Sequence, residues 1–348
     1  MEMMKALVKY AKGSGNLEIR DVPIPIPGPG QVKIEIKAAG ICGSDLHIYH
    51  DDIAIPVNPP VTIGHEFSGV VAAVGEGVTT CKPGDHVVSE TAFSYCMECD
   101  LCKSGYYNLC NYRRTLGYWY NGVFAKYTVV PQGRIHILPE HVDFTTGAMI
   151  EPLACVTHAF YDLARVDAAD VVLVTGPGPI GIMTALVAKA QGARVILSGT
   201  AVDADRLELA EKLGIDCTVN VEKQDLTELV QEYTAGRGAD AVFECSGSEA
   251  ATNIGMRICK KRGYFVQVGL GGKPITFDIE SVCFREIQFS GSLGSRFASW
   301  NKAIELVGAG KVNLLPLASH TMPITQWQEA FELFEKKLCN KVILTPVD

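Results

Sequence analysis

The chain has 348 residues, of which 47% are hydrophobic and 20% charged, and a formal net charge of -8. At roughly 150 residues per domain, this length predicts about two domains, each large enough to bury a core. The acidic balance, without any run of five basic residues, excludes an electrostatic grip on nucleic acid or an anionic membrane, because both polyanions are repelled. The start, MEMMKALVKYAKGSG, has no apolar segment behind a basic flank, and no stretch reaches the roughly 18 apolar residues that span a bilayer. The expectation is a soluble, cytoplasmic protein. In such a chain twelve cysteines point to metal ligation before disulfides.

The first 150 or so residues are rich in Gly and Pro, with short alternating segments broken by turn signals such as Pro27-Gly28-Pro29-Gly30 and Lys82-Pro83-Gly84-Asp85. They read as antiparallel β structure, with strands over Val32 to Gly40 and Phe67 to Gly75. Near Glu151 the pattern changes. From Val171 the order is VVLVTG, IGIMTALVAKAQG, ARVILSG and DRLELAEKLG, apolar strands alternating with helical periods. That order predicts βαβ units around a parallel sheet covered on both faces, an α/β doubly wound architecture. Strands at Ala241 to Cys245 and Tyr264 to Val268 extend it, and from about Gly294 come two helical patterns and a last strand, NKVILTP.

Between the first of these strands and its helix stands Gly176-Pro177-Gly178-Pro179-Ile180-Gly181. Here Gly176 permits a tight turn, Gly178 lets backbone approach a pyrophosphate, and Gly181 lets helix and strand pack closely. The diphosphate then meets the free N–H groups of the helix start. An acid about 20 residues on normally accepts from the ribose 2′-OH, yet the second strand ends in Ser198-Gly199-Thr200, and the first acids are Asp203 and Asp205. Gly199 removes the carboxylate that repels a 2′-phosphate, and Arg206 or the hydroxyls of Ser198 and Thr200 suit one. Arg206 is equally readable as a solvated helix residue, so the cofactor is NAD or NADP.

Cys96, Cys99, Cys102 and Cys110 place four thiols within fifteen residues, the ligand set of a closed, all-thiolate structural zinc site. A redox CxxC is the competing reading, but it does not need four thiols. A second set is dispersed: Cys42 in GICGSDLH, His65 and Glu66 in GHEFSG, and Glu151 in EPLACVTH. One thiolate, one imidazole and carboxylates form a mixed set that leaves a coordination position open, as catalytic zinc requires.

GICGSDLH, GHEFSGVV, the four-cysteine loop, EPLACVTHA and VTGPGPIG, in this order over nearly the whole chain, resemble the zinc-containing medium-chain alcohol dehydrogenase family, most closely its sorbitol (polyol) and threonine dehydrogenase branch. The resemblance implies a GroES-like β-barrel catalytic domain built from residues 1–155 and 294–348, with a Rossmann dinucleotide-binding domain over 156–293. It implies two zinc ions per chain. Cys42, His65 and Glu66 hold the catalytic one; Glu151 is a further ligand or binds the zinc water, and Cys155 is a competing ligand. By the same resemblance Asp45 orients His65, Ser44 takes the substrate proton and His47 passes it towards solvent. Backbone around Cys245-Ser246-Gly247, Val268-Gly269-Leu270 and Leu293-Gly294-Ser295 flanks the ribose and nicotinamide.

The implied reaction moves a hydride between a secondary alcohol, a polyol or sugar alcohol, and NAD(P), giving the ketone. Threonine-type amino alcohols and sugar phosphates are alternatives, as is a dinucleotide-binding protein without chemistry. The implied assembly is a homotetramer or homodimer. His50, His86, His136, His141, His158 and His320 lack ligand spacing and read as surface or core residues. Tyr49, Phe93, Tyr118 and Trp119 read as core or as pocket lining, and Arg296 lies one residue off a polyol-binding register.

Overall fold

The structure is a computed structural model and describes residues 2–347. The chain forms two compact units: one of Met1–Glu151, Ser295–Gly308 and Leu314–Asp348, the other of Pro152–Gly294 and Ala309–Asn313.

The first unit opens with β1 (Met3–Lys9), β2 (Leu17–Pro23), β3 (Gln31–Gly40), α1 (Gly43–His50), β4 (Val61–Thr62) and β5 (Glu66–Val74). Then come β6 (His86–Ser89), β7 (Ala92–Ser94), α2 (Asp100–Lys103), β8 (Arg114–Thr115), β9 (Tyr127–Pro131), β10 (Ile135–Ile137), α3 (Phe144–Ala148) and α4 (Ile150–Thr157). Along β3, Val32, Ile34, Ile36 and Ala38 are buried and the residues between them are half-exposed, the period of two that puts one strand face on a core. Phe67, Phe124, Leu7 and Trp327 pack into that core. Tyr118 belongs to it, and Tyr49, Phe93 and Trp119 pack against it.

The second unit holds β11 (Val171–Thr175), α5 (Pro179–Gln191), β12 (Arg194–Gly199), α6 (Ala204–Lys212), β13 (Cys217–Asn220), α7 (Leu226–Thr234), β14 (Ala239–Glu244), α8 (Glu249–Ile258), β15 (Cys259–Gln267), α9 (Ile279–Phe284) and β16 (Gln288–Gly291). The six strands run in the order β13-β12-β11-β14-β15-β16, every neighbouring pair parallel. This is the doubly wound order, with its switch point between β11 and β14. Val171 to Thr175 are all buried, as expected of a strand covered on both faces. β14 and β15 begin earlier than the apolar pattern suggests, because Ala239, Asp240 and Cys259 are drawn into the ladder despite their mixed polarity.

The chain then returns to the first unit through α10 (Phe297–Gly308), β17 (Ala318–Pro323), α11 (Trp327–Glu335) and β18 (Lys341–Thr345). In the large sheet there, β3 lies between β5 and β18 in the order β10-β6-β5-β3-β18-β17, with β9 also on β3. So the C-terminal strand is hydrogen-bonded antiparallel to β3 at Ala39 and Gly40.

Candidate functional site

β3 ends at Gly40, and two residues later Cys42 caps α1. The Asp45 carboxylate reaches back to accept from the Cys42 N–H at 2.9 Å, which pins the helix start. On the neighbouring strand, Gly64 holds a positive φ of 88° and a Cβ there would strike the Phe124 ring, so the turn that delivers His65 needs glycine. Glu66 then pairs with Gly40 in the β3–β5 ladder. Cys42, His65 and Glu66 thereby come from adjacent strand ends, and one ligand atom from each lies within 4.8 Å of the other two.

This pocket of donors is buried. His65 Nδ1 stands 3.8 Å from Asp45 Oδ1, and neither atom has a hydrogen-bond partner. Burial pushes the Asp45 carboxyl up to about 6. Burial opposes charge on His65, but a hydrogen bond to Cys42 and the charges of Asp45, Cys42 and Glu151 prevail and raise it to about 10. Glu151 interacts electrostatically with His65 and with Lys341, while standing outside the 4.8 Å set. Cys155 follows one turn later on α4, in the second unit, and is also outside that set. Ser44 is beside the buried Tyr118 hydroxyl, whose ring is 5.7 Å from His65. His47, more than half exposed, sets Nδ1 2.8 Å from Asp52 Oδ1.

The sequence gives no hint of Lys341. Its side chain is only 3% exposed, its ammonium is paired with the Glu66 carboxylate, and it donates to the Ile41 carbonyl at 2.7 Å. Burial works against its charge, yet Glu66 and Cys42 outweigh burial and its pKa is raised. No local motif announces a lysine that far along the chain; an apolar strand with one leading lysine, NKVILTP, is all the sequence offers.

The four-cysteine loop also closes. Sγ of Cys96 is 3.8 Å from that of Cys102 and 3.5 Å from that of Cys110, and all four sulfurs lie within 4.8 Å of one another. Backbone N–H groups of Cys99 and Glu98 lower the Cys96 thiol to about 6, as in sites that hold thiolates. Tyr107 inside the loop donates to buried Glu90 at 2.6 Å, and its oxygen accepts from the Phe297 N–H at 2.6 Å. Glu90 also meets His136 Nε2 at 3.2 Å, so that histidine is buried structure.

In the second unit Gly176 has φ 90°, and a Cβ there would stand 2.7 Å from Ser246 Cβ. A Cβ on Gly181 would collide with the Gly176 carbonyl, whereas the space above Gly178 is open. Gly178 caps α5, with Pro179 and Ile180 opening its first turn. The surroundings of Gly199 are tight: a Cβ there would be 2.7 Å from Pro177 Cγ. Thr200 donates its hydroxyl to Asp203 at 2.9 Å, and Arg206 stands 3.6 Å from the same carboxylate. Val268 donates its N–H to the Glu244 carbonyl at 2.8 Å, and Leu270 and Leu293 are exposed. Ser295 falls in the first unit, its hydroxyl accepting from Trp300 Nε1 at 2.9 Å. Sequence reasoning missed Glu244. Its buried carboxylate accepts from Thr175, the Ser246 and Gly247 N–H groups and Gln267, and so fixes the loop beside the glycine turn.

Residues 28–140 match the alcohol dehydrogenase GroES-like domain, and residues 179–309 match the zinc-binding dehydrogenase family. The chain is 44% identical to sorbitol dehydrogenase of Halalkalibacterium halodurans over 99% of its own length and 100% of the relative's. A zinc-binding dehydrogenase of Sinorhizobium meliloti 1021, solved with NADP, superposes at a TM-score of 0.90 with 32% identity, covering 99% of this chain and 100% of that one. An alcohol dehydrogenase of Escherichia coli CFT073, solved with NADH, superposes at 0.89 with 29% identity over 99% and 100%. A doubly wound dinucleotide fold joined to a GroES-like domain with a mixed donor set defines the class of NAD(P)-dependent alcohol dehydrogenases. Within it, this chain belongs to the zinc-containing medium-chain dehydrogenase family. No helix among the described residues is long and apolar enough to cross a membrane.

Proposed function

We propose that the protein oxidises a secondary alcohol of a polyol or sugar alcohol to the ketone and runs the reverse reduction, with residues 1–155 and 294–348 as catalytic domain and 156–293 binding the dinucleotide. The observation that carries this reading is the convergence of Cys42, His65 and Glu66 within 4.8 Å, at the start of the helix that bears Ser44 and His47. The 44% identity to a sorbitol dehydrogenase supports the polyol, and the 41% identity to a D-arabitol-phosphate dehydrogenase and 39% identity to an L-threonine 3-dehydrogenase keep the sugar phosphate and the amino alcohol as alternatives.

The donor set fits zinc: a sulfur, an imidazole nitrogen and a carboxylate oxygen within 4.8 Å of one another. Cys42, His65 and Glu66 would hold it, with Glu151 as a further ligand or acting through water; Cys96, Cys99, Cys102 and Cys110 would hold the structural ion. Bound there, zinc would supply Lewis acidity towards the alcohol, and a nicotinamide would supply the hydride acceptor. Asp45 anchors α1 and, beside His65 Nδ1, orients the imidazole and raises its basicity. Ser44 receives the substrate proton, and His47, exposed and next to Asp52, delivers it to solvent. A binding protein without chemistry has no need of this relay. Gly176, Gly178, Pro179, Ile180 and Gly181 cradle the diphosphate, Gly199, Thr200 and Arg206 face the adenosine ribose, and Val268, Leu270, Leu293 and Ser295 flank the nicotinamide.

The reading includes a cytoplasmic homotetramer or homodimer. β16 is the last strand of its sheet, and Phe284, in the helix just before it, is 80% exposed, an apolar edge that suits a second copy. Turnover of a panel of polyols, amino alcohols and sugar phosphates with NAD and with NADP tests the reaction; activity confined to threonine or to phosphorylated sugars would replace the polyol assignment.

A further inference from the structure

β12 ends in Gly199, so the adenosine ribose lacks the acid that normally accepts from its 2′-OH. We propose that Glu222 supplies this carboxylate from the neighbouring strand and selects NAD over NADP; the inference rests on the reading of the Gly176 to Gly181 turn as a dinucleotide site.

Asn220 of β13 is the parallel partner of Gly199. Just beyond it, the Val221 N–H donates to the Gly199 carbonyl at 3.0 Å, so the chain leaving β13 is tied to the end of β12. The Glu222 N–H donates to Asn220 Oδ1 at 3.0 Å, and Glu222 Oε2 accepts from the Ala201 N–H at 3.3 Å. Its carboxylate therefore stands beside the Ala201 N–H, two residues past Gly199 at the end of β12. Gly199 itself has no room for an acid: a Cβ there would be 2.7 Å from Pro177 Cγ and 3.1 Å from Asp203 Cβ, and Pro177 belongs to the diphosphate turn.

Asp203 is committed elsewhere. Its Oδ2 accepts from the Thr200 N–H at 3.1 Å and from the Thr200 hydroxyl at 2.9 Å, while its Oδ1 stands 3.6 Å from Arg206. Asp203 and Arg206 balance each other in charge, and Glu222 places a carboxylate beside the Ala201 N–H at the end of β12. A 2′-phosphate brings a further charge of about -1.5 to -2 and is repelled, whereas a 2′-OH donates to the carboxylate.

The test is titration calorimetry of NAD and NADP against the zinc-loaded protein, its Glu222→Gln variant and its Glu222→Lys variant, with kcat/KM for both cofactors. Glutamine keeps an oxygen for the Ala201 N–H and removes the charge; Glu222 is exposed, so both variants fold. The unaltered protein is expected to bind NAD at least about tenfold tighter than NADP. Glu222→Gln should cut that ratio about tenfold and Glu222→Lys should invert it. A preference for NADP in the unaltered protein, or a ratio unmoved by Glu222→Gln, overturns the role of Glu222 and leaves the dinucleotide site standing. Failure of both cofactors to bind the unaltered protein overturns the dinucleotide site and the role of Glu222 together.

Discussion

The ammonium of Lys341 and the carboxylate of Glu66 form a buried ion pair across the end of β3, Lys341 coming from β18 on one side and Glu66 from β5 on the other. Gly40 on the strand between them makes the pair possible. A Cβ at that position would collide with Glu66 Oε2 and stand 3.0 Å from Lys341 Cε. The C-terminal strand is thus tied through one cation to a residue of the mixed donor set.

Removing that cation strands a buried charge. Lys341→Met is expected to destabilise the metal-free protein by about 3–5 kcal/mol, because one partner of a buried pair is left uncompensated. Adding Glu66→Gln should recover much of the loss. Urea unfolding of the two single variants and the double variant checks this; purely additive losses would show that the pair is not the source of the cost.

The cysteine lobe should fail separately from the mixed site. Cys110→Ser removes one of four converging sulfurs, and metal analysis is expected to fall from about two zinc to about one per chain. The segment around Tyr107 should then become sensitive to limited proteolysis, because its anchors on Glu90 and the Phe297 N–H depend on loop closure. Retention of two zinc ions in the variant would remove Cys110 from the ligand set.

Loss of Ser44 should affect proton transfer and leave binding intact. Ser44→Ala is expected to lower kcat by about 100- to 10,000-fold, with zinc content and cofactor affinity unchanged. A fall in affinity with kcat preserved would make Ser44 a binding residue instead.

Two buried thiols set an alkaline limit. Burial raises Cys245 and Cys259 to about 12 each from an ordinary 9. A pKa raised on folding means the folded state holds its proton more tightly, so this stabilisation is full below pH 9 and is lost as pH rises from 9 towards 12. At pH 8, iodoacetamide should label exposed Cys283 in the folded protein and reach buried Cys259 only after unfolding. Mass spectrometry of the labelled peptides decides it; native labelling of Cys259 would contradict the assignment.

The parts legible in the sequence were those whose logic is local. The four cysteines lie in one loop, and the glycine turn sits between its own strand and helix, so spacing alone predicts both geometries. Cys42, His65 and Glu66 are motif-bound residues that converge through the β3–β5 register, which a family resemblance supplies and periodicity does not. Lys341 was invisible because its partner is fixed by strand order, with β18 adding to β3 from the far end of the chain. Glu244 read as an ordinary strand residue, since five donors gathered on one carboxylate come from three separate segments. Gly199 reads as a missing acid along its own strand, whereas the Glu222 carboxylate accepts from the Ala201 N–H from beyond the neighbouring strand, a contact set by the β12–β13 pairing.

Metal content measured together with turnover tests the central claim most directly. The unaltered protein should carry about two zinc ions per chain and oxidise a polyol with a nicotinamide cofactor, and Cys42→Ser should carry about one and show no turnover. Full zinc with no oxidation of any alcohol, or unimpaired turnover by Cys42→Ser, would contradict it.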